Sequence, residues 1–302
     1  GFLELCYTPE LAAEVTLQPL RRYAFDAAIL FADLPLVADA LGQKLDYREG
    51  EGPVLEPIRS LAELRRLDMA RLHQRLAPVY ETVRLLTKAL PTDVALIGFA
   101  GAPWTLATYM VEGGGSADHA MTKRWAFADP SGFQQLIDML VEAIAEYLGR
   151  QIDAGAEAVQ LFDSWAGALP EVAFARWCIE PVAAIVKRLR RLHPKTPIIA
   201  FPRGAGVMYQ GYAKATGVDA VSLDGTVPLA WAADRLQPES CLQGNLDPQL
   251  LVVGGSAMRD EAARILEILG KGPFIFNLGH GIVQQTPPEH VGELVDLVRA
   301  WR

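Results

Sequence analysis

The stretch AAILFAD, residues 27–33, reads as a short buried strand that ends on a carboxylate. Apolar residues alone lead up to Asp33, and the Leu-Pro pair at 34–35 then ends the strand. An unbroken apolar run is typical of a strand covered on both faces, as in a parallel sheet. Asp33 could be the N-cap of the next helix. Pro35 weakens this interpretation, because a proline two residues on can lie only in the first helical turn. The other interpretation is a ligand-binding acid, since neither Arg nor Lys stands beside it.

The same pattern, an apolar run followed by a polar or glycine-rich exit, recurs along the chain. The further predicted strands are 94–101, 158–164, 197–204, 220–225, 241–248 and 274–281. Helix-period segments lie between them, and the longest covers 131–155, with Ser131 as its predicted N-cap and Gly155 as its end. Strands that alternate with helices predict βαβ units around a parallel sheet.

Seven strands are one fewer than a closed (β/α)8 barrel contains. We still predict that barrel rather than a doubly wound open sheet, because no GxGxxG or GxxxxGK[ST] motif follows a strand. Polar residues also gather at the C-terminal strand ends along the whole chain, as at the catalytic end of a barrel. The opening GFLELCYTPE reads as a chain entered partway. We therefore expect residues 1–302 to form a single (β/α)8 TIM barrel domain that is N-terminally incomplete.

Side-chain alternation predicts which residues line the barrel, because residues i and i+2 of a strand share a face. Four strands carry an aromatic and a polar residue on one face: Phe31 with Asp33, Phe162 with Ser164, Phe201 with Arg203, and Phe276 with His280. The opposite faces carry Leu30, Leu161 and Ile275, which we expect to pack against the helices. The result is a predicted pocket with apolar walls and polar groups near its mouth, suited to a large ligand.

The composition excludes several classes of partner. A formal charge of −8 and a pI near 5.2 argue against nucleic acid. No apolar run approaches the roughly 20 residues of a membrane span, so we predict no membrane contact. Cys6, Cys178 and Cys241 show no CxxC or metal-ligand spacing, which favours a reducing compartment, the cytoplasm.

Two strand exits carry groups suited to an acidic ligand. Arg203, beside glycines in FPRGAG, is the obvious local cation, although it could equally pair with Asp224 or Asp247. His280 stands between two glycines that expose it at a strand end, whereas His119 and the other histidines read as surface residues.

Two further exits carry a hydroxyl group. Tyr109 falls on a short helix after a glycine-containing exit, and is either a packed aromatic residue or a ligand contact. Ser164 lacks the GxSxG context of a nucleophile, so we expect it to donate a hydrogen bond to a ligand. Its neighbour Asp163 has the outward parity of a structural residue.

Five segments together resemble the uroporphyrinogen decarboxylase family. They are ELAAEVTLQPLRRYAFDAAILFADL (10–34), GFAGAPWTLATYMVEGGGS (98–116), LFDSWAG (161–167), QGNLDP (243–248) and FNLGHGI (276–282). The resemblance covers essentially the whole chain. It implies a homodimeric (β/α)8 barrel in heme biosynthesis that converts uroporphyrinogen III to coproporphyrinogen III. Four acetate side chains would lose carbon dioxide and become methyl groups, without a metal or organic cofactor.

The resemblance also implies roles for individual residues. Asp33 matches the family's pyrrole-binding Asp, and Tyr109, Ser164 and His280 match residues that contact the substrate. Phe31 and Phe162 match residues that line the pocket. The family's opening motif, roughly W-x-M-R-Q-A-G-R-Y, supplies arginines for the substrate carboxylates and is absent here. It would also be the missing strand, and its absence leaves Arg203 as the strong candidate for binding those carboxylates.

A carboxylate suits this chemistry because it is an acceptor-only group with about four lone-pair sites. Asp33 could gather several pyrrole N–H groups and stabilise the cation formed when a pyrrole carbon is protonated. That ring would then be the electron sink. The general acid stays open between the absent N-terminal arginine, His280, Tyr109 and water.

Two alternatives stay open at this point. A zinc-dependent corrinoid or thiol methyltransferase of the same barrel superfamily would need His and Cys ligands, and the chain has no HxC motif. A non-catalytic tetrapyrrole carrier would keep the apolar pocket but would not need Asp33, Tyr109 and His280 together.

Overall fold

The computed structural model describes residues 1–301. These residues form nine strands: β1 (Ala27–Ile29), β2 (Leu45–Arg48), β3 (Gly52–Leu55), β4 (Ala95–Gly101), β5 (Ala158–Asp163), β6 (Ile198–Pro202), β7 (Ala220–Ser222), β8 (Cys241–Leu246) and β9 (Phe274–Leu278). All seven predicted strands are present. The other two, β2 and β3, pair antiparallel as a separate hairpin between β1 and β4 in the chain.

The seven strands form one parallel sheet in the order β1-β4-β5-β6-β7-β8-β9, so each strand pairs with its neighbour in the chain. This sequential order is that of a barrel, whereas a doubly wound sheet reverses its order at a switch point. Within residues 1–301, β1 and β9 are the edges of the sheet.

The sheet curls toward the face that carries Gln160 and Gln243. The Gln243 amide nitrogen lies 3.3 Å from the Gln160 side-chain oxygen, although β6 and β7 separate their strands. In a flat sheet, strands three positions apart would be about 14 Å from each other. The fold is therefore an α/β fold with a curled, half-barrel parallel sheet. The described residues do not by themselves close an eight-stranded barrel.

Helices connect the strands and flank the sheet. They are α1 (Phe2–Cys6), α2 (Pro9–Arg22), α3 (Leu36–Ala40), α4 (Leu61–Leu64), α5 (Leu72–Ala89), α6 (Pro103–Glu112), α7 (Ala120–Ala128), α8 (Pro130–Ala154), α9 (Glu171–Phe174), α10 (Glu180–Leu192), α11 (Tyr212–Thr216), α12 (Leu229–Arg235), α13 (Pro248–Val253), α14 (Gly255–Leu269) and α15 (Pro288–Ala300). Leu30 and Leu161 are buried beneath this layer, as predicted. No helix in residues 1–301 is long and apolar enough to cross a membrane.

The longest helix, α8, begins one residue before its predicted start. Asp129 is the N-cap, and its carboxylate accepts a hydrogen bond from the Gly132 amide at 2.9 Å. The prediction of Ser131 as N-cap was wrong, because Pro130 takes the first helical position, where the missing N–H costs nothing. Gly155 ends the helix as predicted, with a φ of 121°.

The register of β9 overturns one predicted orientation. Ile275 pairs with Gln243, so it shares the concave face, and Phe276 pairs with Gly244 on the convex face. Ile275 is 41% exposed because β9 is an edge strand. His280 therefore reaches the mouth of the sheet through the loop after β9, and not by sharing a face with Phe276.

Candidate active site

The C-terminal ends of the strands carry two separate polar groups, and the first surrounds Asp33. This residue follows β1. Its Oδ2 accepts a hydrogen bond from the Tyr47 hydroxyl at 2.5 Å, and its Oδ1 accepts one from the Leu34 amide at 2.8 Å. No Lys, Arg or His of residues 1–301 forms an ion pair with it. Asp33 is thus a half-buried acid without a paired cation among these residues.

The environment of Asp33 acts on its proton affinity in two directions. Burial raises its pKa, the hydrogen bonds from Tyr47 and Leu34 lower it, and the net shift is upward. Burial, and then the charge of Asp33, raise the pKa of the Tyr109 hydroxyl. Tyr109 therefore lies within electrostatic reach of Asp33.

Aromatic rings cover this group of residues. The Phe31 ring lies edge-on to the Phe2 ring, with centroids 5.7 Å apart, and the Phe2 and Tyr47 centroids are 4.6 Å apart. The Phe31 amide donates to the Thr16 hydroxyl at 3.0 Å, which ties the end of β1 to α2. We refer to Asp33, Tyr47, Tyr109 and Phe31 as the Asp33 centre.

The second polar group lines an open cavity of about 520 Å³ at the exits of β5 to β9. Ser164, Arg203 and His280, all predicted site residues, contribute to its lining. The Phe201 ring lies 6.3 Å from the His280 ring and 6.3 Å from the Phe162 ring, measured between centroids. We refer to this space as the Arg203 cavity.

Asp224 and Asp247, the two acids that could have paired with the guanidinium of Arg203, form other hydrogen bonds instead. Asp224 accepts hydrogen bonds from the Gly204 amide at 2.8 Å and the Tyr209 hydroxyl at 3.0 Å. Asp247 caps α13 by accepting from the Gln249 amide at 2.8 Å. Within residues 1–301 neither acid forms an ion pair with Arg203. Arg203 is therefore available to an anionic ligand.

His280 is a neutral group in this setting. Burial lowers its pKa, and the nearby charge of Arg203 lowers it further. A neutral imidazole has one N–H donor and one acceptor nitrogen, so His280 can hydrogen-bond a ligand without adding charge.

Ser164 and Asp163 point to opposite sides of the strand end. Ser164 faces the Arg203 cavity, whereas Asp163 is buried and accepts a hydrogen bond from the Thr105 hydroxyl at 2.6 Å. The same Thr105 oxygen accepts the Trp165 amide at 3.2 Å. Burial raises the pKa of Asp163 to about 6. Asp163 has the structural position that its parity predicted.

Trp165 lies between the two groups. Its ring centroid is 6.2 Å from that of Tyr109, and the residue also lines the Arg203 cavity. His119 packs on the other side, with centroids 5.1 Å apart. The prediction of His119 as a surface residue was wrong, since it is 5% exposed and lines the cavity.

The predicted site residues thus fall into two sets. Ser164, Arg203 and His280 meet in one cavity, and Asp33, Tyr109 and Phe31 lie outside its lining. The Phe162 ring packs edge-on against the Phe201 ring, which in turn lies near the His280 ring of the cavity. Sequence reasoning missed Tyr47, whose hairpin lies outside the repeating strand–helix pattern. In residues 1–301, no three His, Cys, Asp or Glu side chains are grouped so that they could bind a metal ion.

Comparison with solved structures supports the fold. A methyltransferase from Methanosarcina mazei superposes with a TM-score of 0.75 at 17% identity, over 96% of this chain and 85% of that one. A B12-independent methionine synthase from Shewanella sp. W3-18-1 gives 0.61 at 10% identity, over 96% and 85%. At these identities the likeness concerns the fold alone.

Comparison of sequences is far more specific. The family model described as Uroporphyrinogen decarboxylase (URO-D) matches residues 1–301. The uroporphyrinogen decarboxylase of Rhodospirillum rubrum is 58% identical over all 302 residues, which cover 87% of that protein. That of Chelativorans sp. is 54% identical over the same span and is covered to 88%. On this evidence the chain belongs to the uroporphyrinogen decarboxylase family.

Proposed function

We propose that this protein decarboxylates the four acetate side chains of uroporphyrinogen III and releases coproporphyrinogen III. In each step the bond between the acetate methylene and its carboxylate breaks, carbon dioxide leaves, and one proton is taken up to complete the methyl group. Family membership supports the reaction. The observation that carries it is Asp33, a half-buried carboxylate with no cation paired to it among residues 1–301.

Asp33 binds the pyrrole nitrogens and stabilises the cationic intermediate. A carboxylate has about four lone-pair sites. Tyr47 and Leu34 occupy one on each oxygen, so the remaining sites are open to pyrrole N–H donors. When a pyrrole carbon is protonated, the ring becomes positive and withdraws the electron pair of the breaking bond. A fixed negative charge nearby lowers the energy of that cation.

The Arg203 cavity binds substrate carboxylates. Arg203 supplies the charge, and Ser164 and His280 supply hydrogen bonds. Trp165 lies between this set and Tyr109, and Phe31 and Phe162 supply apolar wall on the two sides, Phe31 beside Asp33 and Phe162 against Phe201. Carboxylates are thereby bound at one place and ring nitrogens at another.

The sheet is proposed to be seven strands of a (β/α)8 barrel that forms a single domain. An eighth strand would pair with β1 and β9, whose concave-face residues Ile29 and Ile275 are 45% and 41% exposed. Slow amide hydrogen exchange along the outer side of both edges would support such a strand, and rapid exchange there would count against it. Homodimer formation, checked by light scattering, and a cytoplasmic location stay predictions.

The decisive experiment incubates the protein with uroporphyrinogen III under reducing conditions and separates the products by chromatography. Stepwise appearance of hepta-, hexa-, penta- and tetracarboxylate porphyrinogens is expected. Bound but unchanged uroporphyrinogen would identify a carrier instead. Failure of both turnover and binding, with stoichiometric zinc in the purified protein, would favour the methyltransferase alternative.

A further inference from the structure

The Tyr47 side chain is the member of the Asp33 centre that lies on the small antiparallel hairpin. Tyr47 lies on β2 of the small hairpin, where it pairs with Pro53. Its ring is fixed by the Phe2 ring, whose centroid is 4.6 Å away. The hairpin thereby presents a hydroxyl to Asp33.

Among residues 1–301, Tyr47 is the only side chain that donates a hydrogen bond to Asp33. The other donor, the Leu34 amide, belongs to the next residue in the chain and is fixed by the backbone at 2.8 Å. Rotation of the Asp33 carboxylate is therefore limited by one long-range contact, the 2.5 Å bond from Tyr47 to Oδ2.

Resting on the proposed function, we propose that Tyr47 is a positioning residue, whose hydroxyl orients the Asp33 carboxylate so that its free lone pairs face the pyrrole N–H groups. Hydrogen bonds to a charged group are stronger than those between neutral groups, and Tyr47 donates to an acid that has no cation. Without the hydroxyl, only the Leu34 amide holds the carboxylate, which also loses a donor that favours its ionised form.

The same contact also lowers the pKa of Asp33, against the larger upward effect of burial. The titratable groups that face it are Cys6 from α1, Tyr47 from β2, Tyr109 from α6 and Tyr147 from α8. All four have raised pKa values through burial in the first place, so they are uncharged at neutral pH. Tyr47 provides one of the two hydrogen bonds that lower the pKa of Asp33. Removal of its hydroxyl therefore lets burial raise that pKa further.

The test compares Tyr47→Phe with Tyr7→Phe. Phenylalanine at 47 keeps the ring against Phe2 and removes only the hydroxyl. Tyr7 is a matched control, because its hydroxyl also donates to an acid, Asp39, at 2.7 Å. Asp39 forms an ion pair with Arg75 and lies outside both site groups. For Tyr47→Phe we expect kcat to fall about tenfold, as for loss of one hydrogen bond to a charged group. The acid limb of kcat/KM should move to higher pH.

Measurement of the Asp33 pKa by carbon NMR in both variants separates this inference from the proposed function. A higher value in Tyr47→Phe alone supports the inference even where uroporphyrinogen is not turned over. An unchanged pKa, or an active variant whose kcat and acid limb match the wild type, overturns it. If Tyr47→Phe does not fold, fluorotyrosine at position 47 keeps the ring and makes a stronger donor, and the Asp33 pKa must then fall.

Discussion

The Asp33 centre and the Arg203 cavity lie at the ends of strands in the same sheet and have opposite electrostatics. The first holds an acid with no paired cation among residues 1–301, and the Phe2 ring packs against the Phe31 and Tyr47 rings of this centre. The second holds a cation that forms no ion pair with the nearby acids of residues 1–301, in an open space of about 520 Å³.

The separation has a physical reason. A guanidinium beside Asp33 would occupy the lone pairs that the pyrrole nitrogens need, and would repel the ring cation that the acid stabilises. Asp39 illustrates the alternative: Arg75 lies 2.7 Å from its carboxylate, and the two residues form a structural ion pair. We propose that the two charges serve different parts of one substrate, the ring and its carboxylates.

The largest expected effect is that of Asp33→Asn. This change keeps the size of the side chain and removes its charge, so kcat should fall roughly 10²–10³-fold, as for loss of a preorganised electrostatic contact. KM should change by no more than a few-fold, because the Arg203 cavity still binds the carboxylates. Steady-state kinetics with uroporphyrinogen checks both values, and wild-type turnover would refute the role of Asp33.

Replacement of Arg203 should give the complementary result. For Arg203→Gln we expect KM to rise about tenfold, the worth of one hydrogen-bonded charge, with kcat nearly unchanged. The affinity of the wild type for uroporphyrinogen should also weaken as salt screens the ion pairs between Arg203 and the substrate carboxylates. The affinity of the variant should depend less on salt. Affinities that do not vary with salt in either protein would contradict this role.

A smaller loss is expected from His280→Gln. Because burial and the charge of Arg203 lower the pKa of His280, the imidazole is neutral at pH 7 and contributes one ordinary hydrogen bond. We expect kcat/KM to fall about threefold to tenfold at pH 7. A loss as large as that of Asp33→Asn would instead identify His280 as the proton donor.

The smallest effect on turnover is expected from Asp163→Asn, which changes a second buried carboxylate. Burial raises the pKa of Asp163 to about 6, above that of the unfolded chain. The folded state therefore binds more protons than the unfolded state, and stability falls as the pH rises through this range. The wild type should lose about 1 kcal/mol between pH 5 and pH 7 that the variant does not lose. Urea unfolding at both pH values measures the difference, and equal losses in the two proteins would show that Asp163 does not titrate there.

The sequence was sufficient to predict the sheet and one of the two polar groups. Apolar runs such as 158–164 bury both faces, so their pattern is little affected by neighbours, and the strands formed where predicted. Ser164, Arg203 and His280 each follow such a run, and parallel strands bring their ends together.

What the sequence did not predict depends on contacts between distant elements. The FIFNL pattern of β9 is apolar at most positions, so alternation alone could not assign its inner face. His119 is buried with a φ of 54°, a loop geometry that no pattern encodes. Tyr47 meets Asp33 only because the hairpin folds back over β1, and a sequence separation of 14 residues carries no signal for that contact.

The most direct test of the central claim is the single-turnover rate of the Asp33→Asn variant, with enzyme in excess over uroporphyrinogen. Under this condition the measured rate does not include product release. At saturating enzyme it does not include substrate binding either. The account predicts that the first decarboxylation slows roughly 10²–10³-fold while substrate still binds. A rate equal to that of the wild type, or a defect confined to binding, would contradict the claim that the charge of Asp33 stabilises the transition state.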